Sequence, residues 1–258
     1  MKAVAVFLLF LSCLSLGHGW TCKEAPQQFP AAQIDAGQGK VVLRDRHSRA
    51  YFLSGSHWYR LGSVSLKHVS VGDAGIWGVD TANRVYKYIA GEFVRSNGQS
   101  LSQVDAGGVG QIVGVTKSDT IHCLKSSAAS AFKQVGTLRW NLLPGRLNYV
   151  TCSPTNRCWG VSSAGQIYYT TISPTTCKIR NWVRVSGSAK MVEVGYDGSV
   201  FVVNSRGQVF QRTGISSRTP QGTRWSYIRM CVSASHVSYD LGRLWIVSKG
   251  GIILQCFH

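Results

Sequence analysis

The chain has 258 residues, 44% of them hydrophobic, and its 28 Lys and Arg against 11 Asp and Glu give a formal net charge of +17. After the N-terminal run, no stretch has the roughly 20 apolar residues of a membrane helix, which excludes a multi-span membrane protein. The positive charge attracts phosphate, sulfate and anionic head groups, but it is spread along the chain and names no partner by itself.

The N-terminus reads as a targeting segment. One Lys, an apolar run and small residues predict a secretory signal peptide over residues 1–19, cut before Trp20. We therefore expect a secreted, extracellular protein that does not insert into membranes. Seven of the eight cysteines follow the cut, which is typical of an oxidising compartment. Because seven is odd, one thiol, Cys231 or another, is expected to stay free or to join two chains in a homodimer.

The strongest pattern is an internal repeat. Six short runs each end on one turn residue: Gly37, Gly72, Gly107, Ser153, Gly195 and Asp240. Their spacing and the lack of a helical period favour propeller blades over a helical solenoid. We predict an all-β protein, a single six-bladed β-propeller over residues 20–258. The predicted repeats are residues 27–61, 62–96, 97–143, 144–185, 186–230, and 231–257 together with 20–26.

Each repeat reads as a first strand, a Gly-rich turn, a second strand, a polar turn and a third strand. In five copies a fourth run begins near an aromatic residue: Trp58, Phe93, Trp140, Trp182 and Trp225. We expect these aromatics to pack between blades. The sixth copy lacks a fourth run, and open sheet edges are a liability, so residues 20–23 are predicted to add as the outer strand of the last blade and to close the ring.

The cysteine positions fit this ring. Three disulfides are predicted: Cys22–Cys256, Cys152–Cys158 and Cys123–Cys177. The first follows from ring closure, the second from a short loop between two strands, and the third from the same side of two adjacent blades. Cys231 follows a fourth strand and is expected to face the other way.

The best copies, VSVGDAGIWGVDTANRVYKY and VEVGYDGSVFVVNSRGQVFQR, resemble the tectonin repeat. Six such repeats after a signal peptide, with the small cysteine loop CSPTNRC, resemble the fish-egg lectins, also called leukolectins. The resemblance implies a six-bladed propeller that binds N-acetylglucosamine and related microbial glycans, such as bacterial lipopolysaccharide or peptidoglycan, in defence of eggs or plasma. Copy one has VVLRDRHSRAYFL in place of a Trp-Gly-Val strand, so blade one is expected to lack a site.

Sugar recognition needs an aromatic face and a few polar groups in a preformed pocket. Second strands carry Trp77, Trp159 and Trp245, and the turns that follow carry Asp80 with Asn83 and Asn204 with Arg206. These seven residues are the candidate carbohydrate site. The alternative for the tryptophans is a place in the core, and for the turn residues ordinary turn chemistry. Asp35 and Asp105 share one repeat position and are expected to hydrogen-bond within the scaffold.

An enzyme is not expected. SYDLGRLW (238–245) matches the Asp-box of sialidases, but that box is a structural turn, and eleven scattered acids do not give a glycosidase pair. Neither a nucleophile elbow nor zinc spacing is present, no cofactor is expected, and calcium dependence is left open. The competing function is a basic adaptor that binds sulfated glycans, lipopolysaccharide phosphates or other polyanions by charge; nucleic acid is not expected as a partner.

Overall fold

The computed structural model describes residues 19–258. The predicted signal peptide lies outside the described residues except for Gly19. In the described part of the chain, no helix is long and apolar enough to cross a membrane. Residues 19–258 contain 25 strands and one short helix, α1 (Ser126–Ala131).

The strands form six sheets, one for each blade, in which the four blade strands pair antiparallel. Blades 1 and 2 contain β2 (Ala31–Gly37), β3 (Lys40–Asp45), β4 (Ala50–Ser54) and β5 (His57–Leu61), then β6 (Leu66–Gly72), β7 (Gly75–Asp80), β8 (Val85–Ile89) and β9 (Glu92–Asn97). Blades 3 and 4 contain β10 (Gln103–Asp105), β11 (Ile112–Val115), β12 (Thr120–Leu124) and β14 (Asn141–Arg146), then β15 (Tyr149–Cys152), β16 (Arg157–Val161), β17 (Gln166–Thr171) and β18 (Val183–Ser188). Blade 5 contains β19 (Met191–Val194), β20 (Val200–Val203), β21 (Val209–Thr213) and β22 (Arg224–Ile228). Blade 6 contains β23 (Ala234–Asp240), β24 (Arg243–Ser248), β25 (Ile253–Phe257) and β1 (Thr21–Glu24), and β13 (Gly136–Thr137) adds to β9 in parallel.

The first strands of the blades line the axis. Each contacts the first strand of the next blade, in the closed order β2, β6, β10, β15, β19, β23 and back to β2. Hydrophobic clusters fill the spaces between and within the sheets, as strands with alternating inward-facing apolar side chains require. The prediction of an all-β, six-bladed propeller is confirmed.

The N-terminal strand closes the ring. It pairs antiparallel with β25, and Cys22 lies opposite Cys256 in this register. All three predicted disulfides are present: Cys22–Cys256, Cys123–Cys177 and Cys152–Cys158. Cys231 is disulfide-bonded as well, so the predicted unpaired thiol is not found among residues 19–258. A homodimer stays a prediction.

The turns between second and third strands join neighbouring blades. One residue in each turn has a positive φ, and its carbonyl oxygen accepts an N–H from the start of the next blade at 2.7–3.0 Å. These residues are Ser48, Asn83, Asp119, Gly165, Gly207 and Gly251. Because Gly251 accepts from Ala31 of blade 1, these hydrogen bonds also run around the full ring. We call the end of the propeller that carries these turns the basal face.

Candidate binding grooves

The predicted stacking tryptophans lie in the core. Trp77 is 0%, Trp159 1% and Trp245 4% exposed. Trp77 donates its indole N–H to the carbonyl of Ala74 at 3.0 Å, and its ring centroid is 6.0 Å from that of Phe132. A ring with no open face does not stack on a sugar, so the prediction that these three residues form the aromatic platform is wrong. The second strand of a blade is covered on both sides by its neighbours.

The predicted polar residues of blade 2 shape a turn. Asp80 is 2% exposed; its Oδ1 accepts the N–H of Ala82 at 2.9 Å and of Arg84 at 2.8 Å, and Oδ2 pairs with the Arg84 guanidinium at 2.5 Å. These contacts outweigh the effect of burial and lower the pKa of Asp80. Asn83 takes the left-handed conformation with φ 65° and accepts from Lys67. Asp80 is occupied by the scaffold and is not free to bind a sugar hydroxyl, whereas the half-buried Asn83 stays a candidate.

In blade 5 the same turn places its residues differently. Asn204 caps the turn, because its Oδ1 accepts the N–H of Arg206 at 3.0 Å and of Gln208 at 2.9 Å. It is only half-buried, and its side chain lines a groove that opens towards blade 4. Arg206 is exposed on the basal face. Asn204 is therefore a candidate that the structure places in a groove.

A second groove lies between blades 3 and 4. Its volume is about 390 Å³, and it is lined mainly by Trp182, Tyr168, Gln166, Arg146 and Asp119, with the serines of the adjoining turn. Trp182 is half-buried and donates its indole N–H to the carbonyl of Pro144 at 2.9 Å. The Tyr168 hydroxyl donates to Gln166 Oε1 at 2.8 Å, which fixes both side chains at the groove wall. The result is an aromatic edge beside hydrogen-bonding groups of both kinds.

The smaller groove, between blades 4 and 5, repeats this arrangement. It has a volume of about 140 Å³, and Trp225, Phe210 and Asn204 occupy the repeat positions of Trp182, Tyr168 and Ser162. The Trp225 indole N–H donates to the carbonyl of Ser186 at 2.7 Å. The guanidinium of Arg212 lies over the Trp225 ring, 5.0 Å from its centre, in a cation–π contact.

A glycine in each outer strand makes both grooves. Gly145 (φ 96°) and Gly187 (φ 112°) have backbone angles that side chains rarely adopt. A Cβ at Gly145 would approach the Trp182 ring to 2.9 Å, and one at Gly187 would approach the Trp225 ring to 3.0 Å. The indole rings therefore rest directly on the backbone of the preceding blade. The prediction that these tryptophans pack between blades describes this contact, but it missed the edge that stays open.

In blades 1 and 2, an Asp–Arg ion pair and a buried tyrosine occupy the position that corresponds to the groove wall of blade 4. The caps there are Asp45 and Asp80, and each pairs with the arginine four residues later. The third-strand tyrosine donates its hydroxyl to the same carboxylate, at 3.2 Å for Tyr51 and 3.1 Å for Tyr86, and is buried. In blade 4 the cap is Ser162, and Tyr168 is left half-buried at the groove wall.

The axis of the propeller holds a ring of acids and hydroxyls. One inner-strand position carries Asp35, Ser70, Asp105, Thr151, Glu193 and Ser238 in successive blades. Each acid contacts the next blade: Asp35 accepts the N–H of Val71 at 2.6 Å, Asp105 accepts that of Cys152 at 3.0 Å, and Glu193 accepts the Ser238 hydroxyl at 2.7 Å. The predicted scaffold role of Asp35 and Asp105 agrees with these bonds.

The pKa values of the axial acids are raised above those of ordinary carboxyl groups. Burial, with the charge of neighbouring acids, raises the pKa of Asp105 to about 8 and that of Asp35 to about 6, and raises the pKa of Glu193 well above its usual range. Next to them, Tyr149 bridges two buried histidines, 3.4 Å from His68 Nε2 and 3.0 Å from His236 Nε2. Burial lowers the pKa of His236 to about 3. Among residues 19–258, no group of three or more His, Cys, Asp or Glu is placed to hold a metal ion.

Comparison with known proteins agrees with this architecture. Several solved structures share the fold at low identity. Virginiamycin B lyase from Staphylococcus aureus aligns with a TM-score of 0.61 at 11% identity, over 93% of this chain and 99% of its own. YCF48 bound to D1 peptide aligns with a TM-score of 0.56 at 14% identity, over 95% and 96%. At such identities the likeness shows the fold alone, and the class of protein is a β-propeller with grooves at its blade junctions.

The sequence comparisons are more specific. The profile of the Tectonin domain matches residues 30–249. The chain belongs to the tectonin family. The fish-egg lectin of Cyprinus carpio is 42% identical over 157 residues, which are 60% of this chain. The chain spans 65% of the length of that relative.

Proposed function

We propose that the chain is a secreted, non-catalytic lectin that binds glycans in the grooves at its blade junctions. Its ligands are N-acetylglucosamine and microbial surface glycans such as bacterial lipopolysaccharide and peptidoglycan, and its role is innate defence of the egg or plasma. The observation that carries the proposal is the repeated groove, in which Trp182 and Trp225 rest on a backbone glycine beside polar side chains. Membership of the tectonin family and the similarity to a fish-egg lectin support it.

The chemistry of the grooves suits a pyranose ring. The apolar face of a sugar stacks on an aromatic surface, and its hydroxyls need both donors and acceptors close by. In the groove between blades 3 and 4, Trp182 supplies the surface, Gln166 and Ser162 supply both kinds of hydrogen-bonding group, and Arg146 supplies a donor. Each groove is open to solvent and binds weakly by itself. Two grooves on one molecule raise the apparent affinity for a repetitive surface.

The ligand class is tested by binding at low and high salt. Chitotriose titrated calorimetrically into the full chain is expected to bind with nearly the same affinity at both salt concentrations, because the contacts are stacking and neutral hydrogen bonds. Free N-acetylglucosamine is expected to elute the protein from a chitin column at high salt. Retention on heparin together with no retention on chitin would refute the proposal.

The place of the site is tested by a matched pair of variants. Trp182→Ala removes the groove wall, and Trp58→Ala removes the tryptophan of the same repeat position in blade 1, which donates to the carbonyl of Pro26 at 2.8 Å. Both lose comparable packing, so thermal unfolding is expected to shift similarly. Only Trp182→Ala is expected to weaken chitotriose binding, by roughly tenfold, the usual effect of truncating an aromatic anchor. Equal affinities of the two variants would place the site elsewhere.

A further inference from the structure

The basal face carries a row of cations, of which Arg146 alone also lines one of the two grooves described above. We name it the basic belt, and it consists of Arg46, Lys67, Lys117, Arg146, Arg206 and Lys249. Lys67 is half-buried and the other five are exposed. They come from blades 1, 2, 3, 5 and 6, mostly from turns between second and third strands, so the belt surrounds the axis.

Hydrogen bonds to neighbouring backbone link belt cations in two separate groups. Arg46 Nη2 donates to the carbonyl of Lys249 at 2.5 Å, and Lys249 Nζ donates to the carbonyl of Arg206 at 3.2 Å. On the other side of the axis, Arg146 Nη1 donates to the carbonyl of Ser118, beside Lys117, at 2.9 Å. Partial burial lowers the pKa of Lys67; the charge of Asp80 opposes this shift, and the nearby charge of Lys117 adds to it.

The belt cations outnumber the acids beside them, which are Asp119, two residues from Lys117 and in the groove of Arg146, and Asp80 near Lys67. Between the residues that the structure describes, the only ion pairs are Arg49–Asp45 and Arg84–Asp80. The belt cations donate instead to carbonyls and to the amide of Asn83, which leave their charge uncancelled. Six like charges on one face repel each other unless an anion neutralises them.

The chemistry of the belt indicates the anion. Three of its six members are arginines, and guanidinium groups bind phosphate oxygens with two parallel hydrogen bonds. A row of cations around the face suits a polymer with repeated anionic groups better than one small ion. Arg146 belongs both to the belt and to the groove of Trp182, so a ligand that carries sugars and phosphates meets both surfaces at once.

We propose that the basic belt binds the phosphate groups of a phosphorylated polysaccharide whose sugar residues lie in the adjoining groove. The belt thus selects anionic glycans among the sugars that the grooves accept. The choice of a glycan rests on the proposed lectin function, whereas anion binding by the belt does not.

The test compares two double variants of equal charge. Arg206→Gln with Lys249→Gln removes two belt cations, and Lys40→Gln with Arg243→Gln removes two exposed cations at the opposite end of the propeller. The probes are a mannan that carries phosphate monoesters, the same mannan after phosphatase treatment, chitotriose and a single-stranded DNA oligonucleotide. Affinities are measured at about 50 mM and about 200 mM salt, a range in which phosphate contacts respond strongly.

The belt variant is expected to bind phosphomannan roughly tenfold more weakly at low salt, and its log–log salt slope is expected to shrink by about two. The control variant is expected to resemble the wild type, and dephosphorylated mannan is expected to lose the salt dependence. Equal losses in both double variants would overturn the proposal, because net charge would then explain binding. Tighter binding of DNA than of phosphomannan would overturn the choice of a glycan. If the wild type binds phosphomannan but not chitotriose, the lectin proposal is refuted, whereas anion binding by the belt still stands.

Discussion

Replacing one axial acid should stabilise the propeller in a pH-dependent way. Asp105 is 5% exposed, and its Oδ2 accepts the N–H groups of Gly107 at 3.2 Å and Cys152 at 3.0 Å. The variant Asp105→Asn keeps an acceptor oxygen for both N–H groups and removes the charge. Any change in stability with pH therefore reports the protonation of this side chain.

The magnitude follows from the pKa. Burial raises the pKa of Asp105 from its ordinary 3.8 to about 8, so the folded chain holds the proton more tightly than the unfolded chain. The stability contributed by the protonated carboxyl is complete below about pH 4 and is lost as the pH rises towards 8. At about 1.4 kcal/mol for each pH unit, the loss by pH 7 is at most about 4 kcal/mol. Asparagine does not titrate and avoids this loss.

The assay is urea unfolding of the wild type and Asp105→Asn at about pH 4 and about pH 7, in EDTA so that divalent cations do not compete for the carboxylates. The variant is expected to gain up to about 4 kcal/mol over the wild type at the higher pH and almost nothing at the lower pH. Glu24→Gln, at an exposed acid, is the control and should show little change. A gain that is equal at both pH values, or a loss at the higher one, would refute the reasoning.

Three further changes test other parts of the structure. Opening the ring with Cys22→Ser and Cys256→Ser should cost roughly 3–5 kcal/mol in urea unfolding, because the bond joins residues 234 positions apart; an unchanged midpoint would mean that strand pairing alone closes the ring. Asn83→Ala should cost about 1 kcal/mol and Asn83→Gly much less, since φ is 65°; equal losses would contradict a conformational cause. Ser162→Asp with Gln166→Arg should install the ion-paired cap of blades 1 and 2, draw the third-strand tyrosine inwards and lower chitotriose affinity without loss of stability; unchanged affinity would show that the tyrosine position does not matter.

Much of the fold was predictable because the repeat fixes local chemistry. A left-handed turn residue recurs as Ser, Asn, Asp or Gly, types that tolerate a positive φ, and a side chain with an acceptor oxygen recurs three positions earlier. The missing fourth strand of the last copy, together with Cys22, indicated how the ring closes. These features depend on neighbours within one blade, which are close in sequence.

The site was less predictable because its walls come from two blades. Trp77 lies in one of the clearest copies of the repeat, yet it is 0% exposed because adjoining strands and blades cover it. Trp182 was assigned to packing, and the open edge of its ring depends on Gly145, which lies 37 positions earlier in the preceding blade. The spacing from each glycine to the next closing tryptophan was available in the sequence. That spacing indicates a groove only together with the contact between the glycine and the tryptophan, which the fold provides.

Blades 1 and 4 show how one scaffold position decides whether a groove exists. In both, the first residue of the turn between second and third strands accepts a backbone N–H and holds the same bend. The carboxylate of Asp45 also attracts an arginine and the hydroxyl of Tyr51, and together they fill the junction. The short hydroxyl of Ser162 completes the turn but holds no further side chain, so the tyrosine of blade 4 stands at the wall of an open space. The turn therefore constrains only the acceptor oxygen, and the rest of the side chain is left to determine what the junction binds.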